Sequence, residues 1–100
     1  MLHTVNKSPF ERAALDSCLR LARKGSAILL YEDGVYAAMK GTNIAAKVEA
    51  AAKDIDIFVL GPDLKARGIG EDRLIAGVKV VEYGGFVDLV VEKKTMNAWL

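Results

Sequence analysis

Apolar segments typical of strands alternate with helical patterns from the beginning of the chain. Met1 to Val5 and Ser26 to Tyr31 are short and apolar, with β-branched or aromatic residues, and we predict a strand at each. The region between them is long enough for a helix of about fifteen residues. A strand, a helix and a strand in this order indicate a βαβ unit, in which the two strands are parallel.

Residues that favour helix ends flank this first helix. Ser8 can cap it, Pro9 suits its first position, and Glu11 can reach back to the Ser8 amide. Gly25 follows the basic end, where a left-handed cap is favoured.

The same alternation continues along the chain, without a linker, a low-complexity tract or an internal repeat. We therefore predict a single α/β domain over residues 1–100, with helices on both faces of a mainly parallel sheet. The later predicted elements are a short helical piece from Asp33 or Gly34 to Lys40, a helix over Asn43 to Lys53, a strand over Ile55 to Leu60, a helical piece over Pro62 to Arg67 and a strand over Val78 to Tyr83.

The segment from Phe86 to Glu92 fits two structures. Its valines and the preceding Gly84-Gly85 favour a hairpin with a two-glycine turn. On a helical wheel, however, its apolar residues occupy an arc of about 200°, with Asp88 and Glu92 opposite. Periodicity alone does not decide between strand and helix over seven residues.

Composition restricts the class of protein. Of the 100 residues, 52% are hydrophobic and 27% charged, which is typical of a folded globular domain. The net charge of +1 is too small to indicate nucleic acid or an anionic membrane as a partner. The apolar runs are far shorter than the ~20 residues that cross a bilayer, and the N-terminus has no apolar signal core. We expect a soluble, cytoplasmic protein.

The loops that follow the strands are where an open parallel sheet binds ligands. They contain no phosphate-binding fingerprint. Asp33 and Asp63 each follow a strand, which would suit a catalytic or metal site. An aspartate at a helix start also accepts backbone N–H bonds and suits the helix dipole, and we favour this structural interpretation for both.

Two further features could carry chemistry or bind a partner. His3 lies inside the first strand, where a hydrogen-bonded core or interface residue is the simpler interpretation, because no second catalytic group accompanies it. Lys65, Arg67 and Arg73 lie near the end of the third strand and could receive an acidic partner, although a solvated surface is the default for such charges.

Cys18 is the only cysteine, so the chain cannot form an internal disulfide. It falls in the middle of the apolar side of the first helix, where it is most simply a small buried hydrophobe. Burial raises the pKa of a thiol and suppresses the thiolate that does chemistry.

Several stretches, taken in order, resemble the TusB/DsrH family of sulfur-relay proteins from end to end. These stretches are Leu2 to Phe10, Glu32 to Ala38, Leu60 to Gly68, Tyr83 with Phe86 to Leu89, and Ala98 to Leu100. The resemblance implies a three-layer α/β/α sandwich on a five-stranded, mainly parallel sheet. It also favours a helix at Phe86 to Glu92 and a last short strand near Met96 to Trp99.

The resemblance implies partners as well. Members of this family are the third small chain of a heterohexamer of the TusBCD or DsrEFH type, built from two copies each of three related subunits. The complex passes persulfide sulfur to a TusE- or DsrC-type carrier, for 2-thiolation of a tRNA wobble uridine or for dissimilatory sulfur oxidation. This exchange needs no metal or organic cofactor, and the resemblance implies no direct contact with nucleic acid or membrane.

The principal sulfur-bearing cysteine of such complexes belongs to another subunit, so we expect a structural and docking role here, with Cys18 at most an accessory persulfide thiol. The alternative is a self-contained small-ligand-binding module or enzyme of flavodoxin-like shape. The candidate interface residues are Phe86, Trp99, Leu100, Lys65 and Arg67.

Overall fold

A computed structural model describes residues 1–10, 14–93 and 95–99 of the chain. Its centre is a sheet of five strands, all parallel, in the order β4-β3-β2-β1-β5. The five-stranded parallel sheet that the family resemblance implies is therefore confirmed. The strands are β1 (Leu2–Val5), β2 (Ala27–Leu30), β3 (Asp56–Leu60), β4 (Lys79–Val81) and β5 (Met96–Trp99).

Helical segments connect these strands, because parallel neighbours need a crossover rather than a tight turn. The α-helices are α1 (Ala14–Leu21), α2 (Ala45–Ala51), α3 (Gly61–Ala66) and α4 (Tyr83–Lys93). Two 3-10 helices cover Glu32–Ala38 and Glu71–Arg73. The sequence predicted a helical piece at the first of these positions and nothing at the second.

The sheet separates two cores, since side chains alternate between the faces of a strand. The larger core packs α1, α2 and α3 against one face, and the smaller core packs α4 against the other, which gives the expected α/β/α sandwich. The larger core includes Val5, Leu15, Cys18, Ile28, Val48, Ile57 and Leu64. The smaller core contains Leu2, Ala27, Leu29 and Leu89, with Phe58, Val81 and Phe86 packed around it.

The segment after Gly84-Gly85 is a helix, so the hairpin alternative is wrong and the expectation drawn from the family resemblance is confirmed. The topology gives the physical reason. Strands β4 and β5 lie at opposite edges of the sheet and run parallel, so the chain must cross the whole sheet between them. A helix makes this crossing while burying Leu89 and part of Phe86 beneath it.

The first helix differs from its prediction at both ends. Pro9 and Phe10 form a turn, in which the Ser8 hydroxyl accepts the Phe10 N–H at 3.2 Å. Glu11, the other half of the predicted capping box, lies outside the described residues. Helix α1 ends at Leu21, and Gly25 adopts a left-handed φ of 88° inside a separate turn instead of capping the helix directly.

Among the described residues, no helix has the length and apolar character that crossing a membrane requires.

Candidate functional site

The loops after β2 and β3 meet at the carboxyl edge of the sheet, and an arginine joins them. Two nitrogens of the Arg67 guanidinium, Nε and Nη2, each lie 3.0 Å from Asp33 Oδ1. Its Nη1 donates to the Asp63 carbonyl at 3.3 Å. The side chain of Arg67, a predicted interface residue, is only 22% exposed. Its contacts hold the two loops together.

Asp63 stabilises an unusual backbone conformation in the neighbouring loop. Its carboxylate accepts the N–H of Glu32 at 2.6 Å. Glu32 has a φ of 48°, and it is the one non-glycine residue with positive φ among those described. Side chains disfavour this left-handed conformation, so the hydrogen bond that the Glu32 N–H donates to Asp63 offsets part of its strain.

Asp33 therefore pairs with an arginine, and the Asp63 carboxylate accepts a hydrogen bond from a backbone amide. Within the described parts of the chain, no three His, Cys, Asp or Glu side chains come together as a metal ion would require. The geometry fits the structural interpretation of both aspartates.

A small recess lies beside these loops, on the side of the sheet that α4 covers. Its volume is about 240 Å³, and its wall is mostly apolar. Tyr83 and Phe86 of α4 form one side, and Glu32 and Asp63 form the rim. The recess is lined by Leu29, Tyr31, Glu32, Leu60, Asp63, Tyr83 and Phe86. Phe86, a predicted interface residue, thus lies partly in the smaller core and partly in the wall of this recess.

A larger cavity of about 470 Å³ opens at the carboxyl ends of β3 and β4. The exposed Lys65 lines it together with two carboxylates, Glu71 and Glu82. Gly61 also lines it, and a side chain on Gly61 would overlap the Glu82 carboxylate. Arg73 does not line this cavity. Of the three basic residues singled out in the sequence, Lys65 lines this cavity and Arg67 pairs with Asp33.

Cys18 lies in the larger core with no exposed surface. Burial among apolar side chains raises the pKa of its thiol to about 12. At pH 8 the thiol is therefore almost entirely protonated. The helical-wheel position predicted this burial, and the folded chain offers almost no thiolate.

The lone histidine and the lone tryptophan form a pair at the β5 edge. The indole Nε1 of Trp99 donates to His3 Nδ1 at 3.1 Å. Desolvation and the nearby positive N-terminus lower the pKa of His3. A cavity of about 470 Å³ lies beside the pair and is also lined by Leu21 and Arg23. Leu100, the last predicted interface residue, lies outside the described residues.

Sequence reasoning missed the role of Glu32. The motif Glu32-Asp33-Gly34 gave no sign of a left-handed glutamate, since the residue types that usually mark this conformation are glycine and asparagine. Only the pairing of the loop with Asp63, 31 residues later, accounts for it.

Comparison with known proteins agrees with this architecture. A family model described as "DsrH like protein" matches residues 7–96. The protein TusB of Pectobacterium parmentieri is 40% identical over 99 residues, which cover 99% of this chain and 100% of that protein. The protein TusB of Escherichia coli O1:K1 is 37% identical over 101 residues, with the same coverage.

Among solved structures, the YchN protein of Escherichia coli is similar in fold, with a TM-score of 0.83. Its sequence is 20% identical, and the match covers 97% of each chain. A protein of unknown function from Methanobacterium thermoautotrophicum gives a TM-score of 0.77 at 18% identity, covering 97% of this chain and 96% of that one. These two likenesses concern the fold alone. The family match and the full-length TusB relatives show that the chain belongs to the DsrH-like family, together with proteins named TusB.

Proposed function

We propose that this chain is a structural and docking subunit of a sulfur-relay complex. In this proposal it assembles, as a single domain, with two homologous small subunits into a cytoplasmic heterohexamer. The complex passes persulfide sulfur to a TusE- or DsrC-type carrier, which serves tRNA wobble-uridine 2-thiolation or dissimilatory sulfur oxidation. Membership in the DsrH-like family and the full-length similarity to TusB proteins support the sulfur-relay assignment.

The burial of Cys18 is the observation that carries the structural role. Persulfide exchange begins when a thiolate attacks the outer sulfur of a neighbouring persulfide. Cys18 is the only cysteine, has no exposed surface and has a pKa raised to about 12. A sulfur donor would have to open the larger core to reach it. The principal sulfur-bearing cysteine is therefore expected on a partner subunit, with Cys18 at most an accessory thiol.

The outer surface of α4 supports a docking role. Tyr83, Val87 and Val91 are 60%, 59% and 70% exposed, and they recur every fourth residue along this helix. Such spacing places them in one stripe on the helix surface. Subunit interfaces are where exposed apolar and aromatic side chains are normally buried, so this stripe supports a chain that works in an assembly.

The test is the native mass of the tagged chain purified from its own cells. The proposal predicts two similarly small chains in equal amount, in an assembly of six. A lone homo-oligomer would contradict it and would favour the flavodoxin-like alternative. A small molecule held by that homo-oligomer through native mass spectrometry would then identify the ligand class.

A further inference from the structure

The Trp99–His3 pair leaves one imidazole nitrogen as a donor without a partner among the described residues. Trp99 donates its indole N–H to His3 Nδ1, so the proton of the neutral imidazole lies on Nε2. Desolvation and the positive N-terminus lower the pKa of His3, which keeps the ring neutral. His3 is only 5% exposed, and buried polar groups nearly always have a partner. The Nε2–H therefore points to an acceptor that enters from outside.

A second buried polar side chain, Ser26, shares a cavity with His3. Both line the cavity of about 470 Å³ where the end of α1 meets the start of β1 and the edge strand β5. Ser26 is 7% exposed, and its hydroxyl bonds to no described residue. In the described parts of the chain, the fully enclosed side-chain atoms without a partner are Asn6 Oδ1 and Thr42 Oγ1. His3 Nε2 and Ser26 Oγ thus reach open space, and this cavity is the space that both residues line.

The charge at this cavity is positive. Arg23 lines it and forms no ion pair with any other described residue, and none of the described lining residues is acidic. The positive N-terminus lies on the same side. Asp54 and Asp56 of the adjacent segment are within ion-pair distance of Lys24 and Lys79, and Asp56 lies on the other face of the sheet. The cavity therefore offers a cation and two neutral donors to an anion.

The helix end at this cavity indicates which anion fits. It is the C-terminal end of α1, which contributes Leu21 to the wall. Phosphate groups bind preferentially at helix N-termini. A carboxylate has a single charge and two oxygens in one plane, and the guanidinium fork of an arginine matches this shape. A carboxylate therefore suits the site better than a phosphate.

The rest of the cavity is apolar and too large for a carboxylate alone. The exposed Met1 and Leu21 line it together with the half-buried Trp99. Its volume falls within the ~300–1,000 Å³ of typical small-molecule pockets. An apolar group attached to the carboxylate would fill this space against the indole ring.

We propose that this cavity binds a small organic carboxylate with an apolar body. The carboxylate oxygens accept hydrogen bonds from His3 Nε2–H, the Ser26 hydroxyl and the Arg23 guanidinium. The apolar body packs against Leu21 and Trp99. This binding site goes beyond the proposed function and does not depend on it, since every group belongs to this one chain.

The test titrates benzoate into the untagged full chain and follows the ring signals of the lone histidine by proton NMR. Benzoate is expected to shift these signals saturably and to raise the pKa of His3, because an anion beside Nε2–H favours the protonated ring. Benzamide has the same ring without the charge and should bind at least about tenfold more weakly. Acetate lacks the apolar body and should also bind more weakly.

Three variants connect this binding to the cavity. Arg23→Gln should weaken benzoate binding about tenfold, and Ser26→Ala about fivefold. Arg20→Gln makes the first change at an exposed position in the last turn of α1, outside the cavity, and its affinity should stay within about twofold. Thermal unfolding of each variant confirms that it is folded.

Four results would overturn the inference. They are no saturable shift by benzoate at millimolar concentration, equal binding of benzamide or acetate, equal loss of affinity in Arg20→Gln and Arg23→Gln, and displacement of benzoate by an equal concentration of inorganic phosphate. The third result would show a general attraction to the charge of the protein, and the fourth a general anion site. All four would leave the proposed function standing, because assembly with partner subunits is measured separately.

Discussion

The indole N–H of Trp99 donates to Nδ1 of His3 across 3.1 Å, and this bond ties the edge strand β5 to its neighbour β1. An indole N–H is only a donor, so His3 must present an unprotonated Nδ1 and carry its proton on Nε2. Both residues lie on the face of the sheet that packs against α1, two positions apart in the parallel register. This side-chain bond adds to the backbone pairing of β5 with β1, and it depends on the protonation state of the His3 imidazole.

Acidification is expected to destabilise the protein through His3. Its pKa is lowered in the folded state, so the unfolded chain binds the proton more readily. The stabilisation of the folded state by His3 is complete above the ordinary histidine pKa of ~6.5. This stabilisation is lost as the pH falls from there through the lowered pKa of the folded state. Denaturant unfolding between about pH 7 and pH 5, followed by Trp99 fluorescence, should show this loss. The His3→Gln variant cannot titrate at this position, so its free energy of unfolding should depend less on pH in this range. An unchanged dependence on pH would contradict the prediction.

Trp99→Phe should lower the free energy of unfolding by about 1 kcal/mol, because it removes one hydrogen bond while keeping an aromatic ring. In the variant, His3 no longer has to keep Nδ1 free, so its imidazole pKa should rise. Proton NMR of this lone histidine measures that shift directly. A His3 titration identical in both proteins would show that the hydrogen bond has no such effect.

The thiol of Cys18 should be inert in the folded protein. A pKa raised to about 12 and complete burial both limit its reaction with Ellman's reagent at pH 8. We expect a rate at least about a thousandfold below that of the same chain in denaturant. A fast reaction without denaturant would mean that α1 opens readily, and it would strengthen the accessory persulfide role of this cysteine.

The same substitution, glycine to alanine, should have opposite effects on stability at two positions. Gly34 passes so close to the Val5 carbonyl that a side chain would overlap backbone, so Gly34→Ala should destabilise the fold by about 2 kcal/mol. Gly84, in α4, has open space around it, and Gly84→Ala should stabilise the fold by about 0.5–1 kcal/mol through helix propensity. Thermal unfolding of both variants tests the pair, and equal effects would refute the close approach at Gly34.

Asp63 and Glu32 should be energetically coupled. Asp63→Ala removes the acceptor of the Glu32 amide and should lower the free energy of unfolding by about 1 kcal/mol. In a Glu32→Gly background the left-handed backbone is no longer strained, so the same substitution should have a smaller effect. A double-mutant cycle measures this difference, and additive effects would contradict the coupling.

Much of the fold could be predicted because it depends on local pattern. The first four strands and the βαβ order followed from apolar segments separated by glycine, proline and capping residues, whereas β5 was expected only from the family resemblance. The burial of Cys18 followed from its place on the helical wheel. The helix at Phe86 could not be predicted from periodicity, since the decisive fact is that β4 and β5 lie at opposite edges of the sheet. That information is not local to the segment.

The candidate site was less predictable for the same reason. The sequence indicated that the loops after the strands are where such a sheet binds ligands, and it favoured a structural role for Asp33 and Asp63. It did not reveal that Arg67 spans both loops or that Asp63 holds Glu32 in a left-handed conformation, because these contacts join residues about thirty positions apart.

The central claim is that this chain supports a sulfur relay without carrying the sulfur itself. The most direct test reconstitutes the chain with the two homologous subunits of the proposed complex, once unaltered and once with Cys18→Ala, and measures by intact mass the persulfide that reaches the carrier. Native mass of each complex confirms that assembly is equal. The account predicts equal transfer by the two complexes. Loss of transfer in a fully assembled Cys18→Ala complex would contradict it and would make Cys18 a sulfur carrier.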